Sequence, residues 1–269
     1  MKSLPSALTI AGSDPSGGAG IQADLKTFAA LGVYGASAVT AITAQNTTGV
    51  METMAVAADL VTAQIEAVAT DIPIGATKTG MLATAAIVEA VAAAIRELEL
   101  PLVVVDPVMV ATSGAALLDA DGVQMLKAEL LPCAAVVTPN IPEAEALSGR
   151  RIESIEQARA AAVAIHRLGA SAVVITGGHL PGDDIVDLLF DGTIFTELQA
   201  ARIHTRHTHG TGCTFASAVA AHLALGHPVV DAVVHAQAYV RGAIEHALAI
   251  GQGHGPLNHF WKSRNRVIG

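Results

Sequence analysis

Ala7-Leu8-Thr9-Ile10-Ala11-Gly12-Ser13-Asp14-Pro15-Ser16-Gly17-Gly18-Ala19-Gly20-Ile21 is the stretch on which the fold turns. Ala7–Ala11 is a short, continuous apolar run of β type. The loop after it carries glycines at 12, 17, 18 and 20. From Ile21 to Leu31 the apolar residues recur with a helical period. The order strand, glycine-rich loop, helix then repeats in outline. Further β-type runs lie at Ala36–Thr43, Leu102–Asp106, Ala135–Thr138, Ala172–Thr176 and Ile185–Phe190. Helical patterns separate or follow them at Leu60–Ala69, Thr84–Leu98, Gly122–Leu131, Ile155–Leu168, Thr211–Leu225 and Val229–Ile250. Most strand runs are apolar throughout rather than alternating, the mark of strands covered on both faces. The pattern predicts an α/β fold, doubly wound, with a mostly parallel central sheet and helices on both faces. No linker, internal repeat or low-complexity tract divides the chain, so residues 1–269 are expected to form a single domain.

Composition agrees. The 269 residues are 52% hydrophobic and 14% charged, which excludes disorder as the dominant state. Aromatics are only 3%, so Ala, Val, Ile and Leu must build the core. Mean hydropathy is +0.50, yet no uninterrupted apolar run approaches the roughly 18 residues of a membrane span. A net charge of −9 argues against a nucleic-acid binder, which needs a basic face. It leaves room for a phosphate held by a local loop. The cysteines, Cys133 and Cys213, form no CxxC pair and imply neither a disulfide framework nor a zinc site. The first apolar segment runs straight into the Gly12 loop with no cleavage pattern, so a cytoplasmic protein is expected.

Open parallel sheets bind ligands beyond the carboxyl ends of their strands. The residues to inspect are therefore Gly12-Ser13-Asp14, Gln45-Asn46, Asp106-Pro107-Val108-Met109, Pro139-Asn140 and Gly177-Gly178-His179. The Gly12–Gly20 loop lacks what a dinucleotide site needs, an acid at the end of the second strand, since Thr43-Ala44-Gln45-Asn46 has none. It also lacks the Gly-Lys-Ser/Thr of a Walker loop, and a tight turn for close helix packing explains it equally well. Thr208-His209-Gly210-Thr211-Gly212-Cys213 is more specific. Two glycines flanking a threonine at a helix start let backbone N–H groups converge on an anion such as a phosphoryl group. Cys213 falls in the first helical turn, where a thiol is expected to have a lowered pKa; the alternative is a buried cysteine acting as a small hydrophobe. Asp106, Asn140 and Glu143 form an oxygen set suited to a hydrated Mg²⁺, although Glu143 also fits a favourable helix-dipole position. His204, His207 and His209 lack further ligand spacing and read as solvated or locally bonded. Met81 and Met109 follow strands and either line a pocket or fill the core.

Taken together, Ile10–Asp24, Ala44-Gln45-Asn46-Thr47, Lys78-Thr79-Gly80-Met81-Leu82, Asp106-Pro107-Val108-Met109, Thr138–Glu145 and His209–Cys213 resemble the hydroxymethylpyrimidine/phosphomethylpyrimidine kinases of thiamine biosynthesis, members of the ribokinase-like superfamily. The likeness runs from the first strand to the Gly255–Phe260 tail. It implies a ribokinase-like sandwich without a large separate lid. It also implies ATP- and Mg²⁺-dependent phosphorylation of 4-amino-5-hydroxymethyl-2-methylpyrimidine, and then of its monophosphate to the diphosphate. By the same resemblance Gln45 would hydrogen-bond the aminopyrimidine edge, a role an amide fills with both a donor and an acceptor. Gly12, Asp24, Met81 and Val108 would line that pocket. Gly210, Thr211 and Gly212 would form the anion hole, and Cys213 would take the hydroxyl proton where most superfamily members have Asp. Asn140, Thr176, Gly178 and Thr208 would lie on the nucleotide side, Asp106 and Glu143 at the metal, and the chain would form a homodimer. Two departures stand out: Gln237 where many relatives carry Lys, and His207 where Asn is common. The alternatives are a pyridoxal/pyridoxine kinase of the same superfamily, with Gln45 favouring the aminopyrimidine, and a non-catalytic pyrimidine-binding module, against which the intact phosphate apparatus speaks.

Overall fold

The computed structural model describes residues 4–111, 114–179 and 184–262. Its strands are β1 (Ser6–Ser13), β2 (Tyr34–Asn46), β3 (Gly49–Ala55), β4 (Ala76–Thr79), β5 (Val103–Val105), β6 (Val136–Val137), β7 (Val173–Ile175), β8 (Asp184–Phe190) and β9 (Phe195–Ala201). They form one nine-stranded sheet in the order β3-β2-β1-β4-β5-β6-β7-β8-β9. The six strands from β2 through β1, β4, β5 and β6 to β7 pair in parallel; β3 at one edge and β8 and β9 at the other are antiparallel. The helices are α1 (Gly20–Ala30), α2 (Ala58–Ala69), α3 (Ala85–Glu97), α4 (Ala120–Met125), α5 (Ile141–Ser148), α6 (Ile155–His166), α7 (Thr211–Ala224) and α8 (Val229–Glu245).

The doubly wound expectation holds. Successive strand residues feed opposite layers. Val103, Val105, Val137 and Ile175 pack against α2, α3, α5 and α6, whereas Val104, Val136 and Val174 pack against α7 and α8. The interior is aliphatic, as the low aromatic content requires.

Four departures have local causes. Strand β4 is no apolar run, because Lys78 sits in its middle; it is nonetheless buried throughout. Strand β3 has no buried face, so it carries no periodic signal and is recruited by antiparallel pairing to β2. Residues 122–131, read as one helix, divide into α4, a π turn over Leu126–Leu130 and a 3₁₀ turn at Leu131–Cys133 that contains Pro132. Helix α8 stops at Glu245 instead of continuing to Ile250, and the chain then turns back so that Leu248 N–H bonds the Pro256 carbonyl. That return brings the tail beside His209, whose N–H donates to the Gly255 carbonyl at 3.2 Å.

Candidate active site

The chain leaves β1 toward β2 on one side and later places β4 on the other, so a crevice opens at the carboxyl ends of β1 and β4. Gly12 and Met81 meet there: Gly12 N–H donates to the Met81 carbonyl at 3.1 Å, and a Cβ on Gly12 would sit 3.1 Å from the methionine sulfur. Asp14 organises the loop that follows. Its carboxylate accepts from the Ser16 N–H at 2.9 Å, the Ser16 hydroxyl at 2.9 Å and the Ala19 N–H at 2.8 Å, and it faces His209 Nε2 at 2.8 Å. Burial alone would raise this carboxyl, but His209, Ser16 and Ala19 outweigh it and hold it down at about 2. Gln22 closes the loop from α1, accepting from the Asp14 N–H and donating to the Ser13 hydroxyl.

This loop and the one before α7 are built into each other. Gly210 caps α7 with φ +82°, and a Cβ there would overlap the Gly18 carbonyl oxygen. Only glycine permits both the left-handed backbone and the approach. No side chain caps α7. The Thr211 amide is spent on the Thr208 carbonyl at 3.2 Å, and the Thr211 hydroxyl bonds the same carbonyl at 2.7 Å. The first-turn amides of Gly212 and Cys213 are thus left at an exposed glycine, with the positive end of the helix behind them.

Beneath the start of α7 lies a charged cluster. Lys78 is fully buried, with Nζ 3.0 Å from both oxygens of Asp24 and 3.7 Å from Asp106 Oδ2. Desolvation opposes the lysine charge, but Asp24 and Asp106 overcome it and raise its pKa. Asp24 also accepts from Ser217 at 2.5 Å and Thr9 at 2.6 Å. It is therefore not a pocket-lining residue as expected: at 0% exposure, with both oxygens engaged, it anchors Lys78 instead. Asp106 is pushed up by burial and by Asp24, against the Lys78 cation and a hydrogen bond from Cys213. Glu143 rises to about 8 through burial and the charge of Asp106, partly offset by N–H groups of Asn140 and Met109.

Asp106 Oδ2 is buried without a hydrogen-bond partner, and two buried carboxyls repel each other across this part of the cleft. Such an orphaned acceptor beside a second acid is what a hard divalent cation satisfies. The start of α7 is adjacent, since a Cβ on Gly212 would lie 3.9 Å from Asp106 Oδ1. Glu143 is partly committed already. It closes a capping box on α5, accepting from the Asn140 N–H at 2.9 Å while Asn140 Oδ1 accepts from the Glu143 N–H at 2.9 Å. With N–H donors from Asn140 and Met109 already on it, the carboxylate has only its remaining lone pairs to offer a metal or its water.

The expectation for Cys213 is overturned in one respect. Its thiol is not acidified by the helix start but pushed up to about 12, first by burial and then by Asp106 and Asp24, against Lys78 and the Gly20 N–H. The residue as a whole is half-buried, but the sulfur interacts with Lys78, Asp106 and Gly20, so the dipole gain is lost to desolvation. At rest Cys213 is a neutral thiol.

Gln45 is the next-to-last residue of β2, at a bulge that shifts the register between Ala44 and Gln45. It shares a recess with Asn46, Thr47, Thr48, Gly49, His209 and His254, which puts it next to the residue that ties the two glycine loops together. His209 itself is buried and bonded far along the chain, not solvated or locally bonded as read. Val108 is half-buried just past Asp106. Toward β7, Asn140 bridges Thr176, and Gly178 is exposed in a 3₁₀ turn with open space where a side chain would be. Thr208 is half-buried before the α7 mouth. Gln237 is spent within the fold, donating to Asp187 and to the Leu198 carbonyl, each at 2.9 Å.

Comparison with known proteins follows the same lines. A family model described as phosphomethylpyrimidine kinase matches residues 14–258. The hydroxymethylpyrimidine/phosphomethylpyrimidine kinase of Rhizobium meliloti is 54% identical over 263 residues, covering 95% of this chain and 98% of its own. The thiamine biosynthesis bifunctional protein ThiED of Geobacter sulfurreducens is 53% identical over 255 residues; these cover 95% of this chain but only 52% of that longer relative. Among solved structures, Bacillus subtilis pyridoxal kinase in complex with ADP superposes with a TM-score of 0.90 at 42% identity, covering 98% of this chain and 100% of that one. The chain belongs to the phosphomethylpyrimidine kinase family, and it is a phosphotransferase of ribokinase-like fold.

Proposed function

We propose that this single ribokinase-like domain transfers the γ-phosphoryl group of ATP to the hydroxymethyl oxygen of 4-amino-5-hydroxymethyl-2-methylpyrimidine, and then a second phosphoryl group to the monophosphate, supplying the diphosphate for thiamine biosynthesis. The observation that carries this reading is the uncapped start of α7, set between Asp106 and the recess of Gln45 and His209. Phosphoryl transfer asks mainly for positioning and for charge stabilisation on the moving group. Gln45 orients the aminopyrimidine edge, with Gly12, Met81 and Val108 around the ring. The Gly212 and Cys213 amides, with Gly210 and Thr211 shaping their loop, receive the charge of the transferring group. Asn140, Thr176, Gly178 and Thr208 flank the nucleotide. Asp106 and the Glu143 carboxylate would hold Mg²⁺, which when bound neutralises phosphate charge.

Cys213 receives the alcohol proton only as it gives up its own. The old thiol proton passes to an oxygen of the phosphoryl group at the α7 mouth, because Asp106 is taken by the metal. Balance is kept: the oxygen–hydrogen bond of the alcohol breaks, a new S–H forms, and the old S–H proton ends on the phosphate.

A pyridoxal kinase activity is the second reading, favoured by the match to the Bacillus subtilis enzyme. Coupled ATP-consumption assays with the hydroxymethylpyrimidine and with pyridoxal, each followed by ³¹P NMR of the product, separate the two. Turnover of pyridoxal alone would replace the proposal. A homodimer is also part of it: Ile42, Met51 and Met54 are exposed on β2 and β3, and sedimentation velocity tests whether a second copy covers them.

A further inference from the structure

A second concentration of ligating side chains lies away from the kinase cleft. His222 is in the last turn of α7, His227 follows in the turn at Gly226, and His235 is in the second turn of α8. From the cleft at Thr211 to His222 the helix rises about 16 Å. Gly75, just before β4, lies against Ala224, so this end of α7 is at the amino edge of the parallel strands, opposite the site.

The ligating atoms of the three histidines all lie within 4.8 Å of one another. Their ring centroids are 5.3, 4.9 and 4.9 Å apart, with planes inclined at 67°, 41° and 77°. The rings therefore converge instead of stacking. The turn that carries His227 is fixed: Gly226 has φ +87° and donates to the Leu223 carbonyl, and His227 N–H donates to the His222 carbonyl at 3.1 Å. His222 Nδ1 is sealed from solvent and has no hydrogen-bond partner among the described residues. Three helpful features coincide here: a cluster of one ligand type, an orphan ring nitrogen, and the negative end of a helix, which favours a cation.

We propose that His222, His227 and His235 form a site for a divalent transition metal, Zn²⁺ or an ion of similar imidazole preference. A set of three imidazoles without a carboxylate selects such ions over Mg²⁺. Tetrahedral Zn²⁺ with bonds of about 2.0–2.1 Å sets its ligand nitrogens about 3.4 Å apart, so the rings must draw in modestly. His235 is exposed and His227 is half-buried at a turn, and both have room to do so; water completes the fourth position. A bound ion would staple the α7–α8 hairpin.

The test uses the full chain, stripped with chelator and dialysed, without nucleotide or Mg²⁺. It is titrated with Zn²⁺ by calorimetry and with Co²⁺ by visible absorption. The expected result is one ion per chain, a tetrahedral Co²⁺ band, and a rise in melting temperature on adding Zn²⁺. His235→Ala and His227→Ala should each weaken binding about tenfold or more, since losing even a supporting partner costs a metal site that much. Both should also abolish the thermal shift, with circular dichroism unchanged. His204→Ala, a control on another exposed histidine, should leave binding as it was. Absence of stoichiometric Zn²⁺ binding, or binding unchanged in the His227→Ala/His235→Ala double variant, overturns the proposal.

Discussion

His209 Nε2 lies 2.8 Å from Asp14 Oδ2, across 195 residues of chain. This contact makes one site out of two glycine-rich loops. On one side it completes the hydrogen bonding of a loop that leaves β1; on the other it fixes the residue just before the α7 cap. Because His209 also lines the recess of Gln45, that recess and the start of α7 share a wall.

Removing that partner tests the coupling. His209→Ala leaves the Asp14 carboxylate buried and short of one charge-assisted bond, and should destabilise the fold by about 2 kcal/mol. It should also raise KM for the pyrimidine. The Asp14 carboxyl sits at about 2, below its ordinary 3.8, so its stabilising contribution is full above the ordinary value and is lost as pH falls toward 2. Urea midpoints of wild type and His209→Ala should therefore converge below pH 4. A difference that persists undiminished at pH 2 would assign the loss to packing.

Lys78 and Asp24 are both at 0% exposure. Lys78→Met strands two carboxyls in the interior and should cost about 3–5 kcal/mol. Adding Asp24→Asn should recover part of that loss, because Ser217 and Thr9 can still bond the amide. Denaturant titration of the two single variants and the double variant gives the coupling; strictly additive losses would mean the pair is not the unit described.

What was legible in the sequence was what is local. The apolar run before Gly12 and the glycines at 17, 18 and 20 announce a strand, a tight loop and a helix within a few residues of each other. Glu143 three residues after Asn140 marks a helix start, and α5 has the capping box such spacing favours. Strand β4 does not show as an apolar run, because Lys78 interrupts it and the partner that buries that charge, Asp24, lies 54 positions earlier. The same holds for His209, whose partner lies at the other end of the chain. The expected acidity of Cys213 failed for a related reason: the helix start is local and visible, but the desolvation that outweighs it comes from residues brought in by other strands.

Gln45→Ala should weaken pyrimidine binding about tenfold, one net hydrogen bond's worth, with kcat altered less. It should also shrink the preference for the hydroxymethylpyrimidine over pyridoxal. An unchanged dissociation constant removes Gln45 from the pocket.

Cys213→Ala should lower kcat by about 10²-fold, the scale of a lost proton-transfer group, while KM for the pyrimidine stays near its wild-type value. Cys213→Ser, which keeps a hydroxyl that can accept and donate, should recover part of the rate. A kcat unchanged in the alanine variant would leave the proton to solvent.

On the proposed assignment, Glu143 links the metal to pH. Its folded-state value of about 8 lies above the ordinary 4.5, so the folded protein holds a proton that the unfolded chain releases. That contribution favours folding below the ordinary value and is lost as pH rises toward 8. The metal-free protein should thus weaken between pH 5 and 8, as judged from urea midpoints. Mg²⁺ binds the carboxylate form, so its binding near pH 7 should expel close to one proton, and the number should fall toward zero above pH 8. Calorimetry in two buffers of different ionisation enthalpy measures that count directly. In Glu143→Gln the proton release should vanish and the dependence of Mg²⁺ affinity on pH should flatten; release that survives the substitution would move the proton to Asp106.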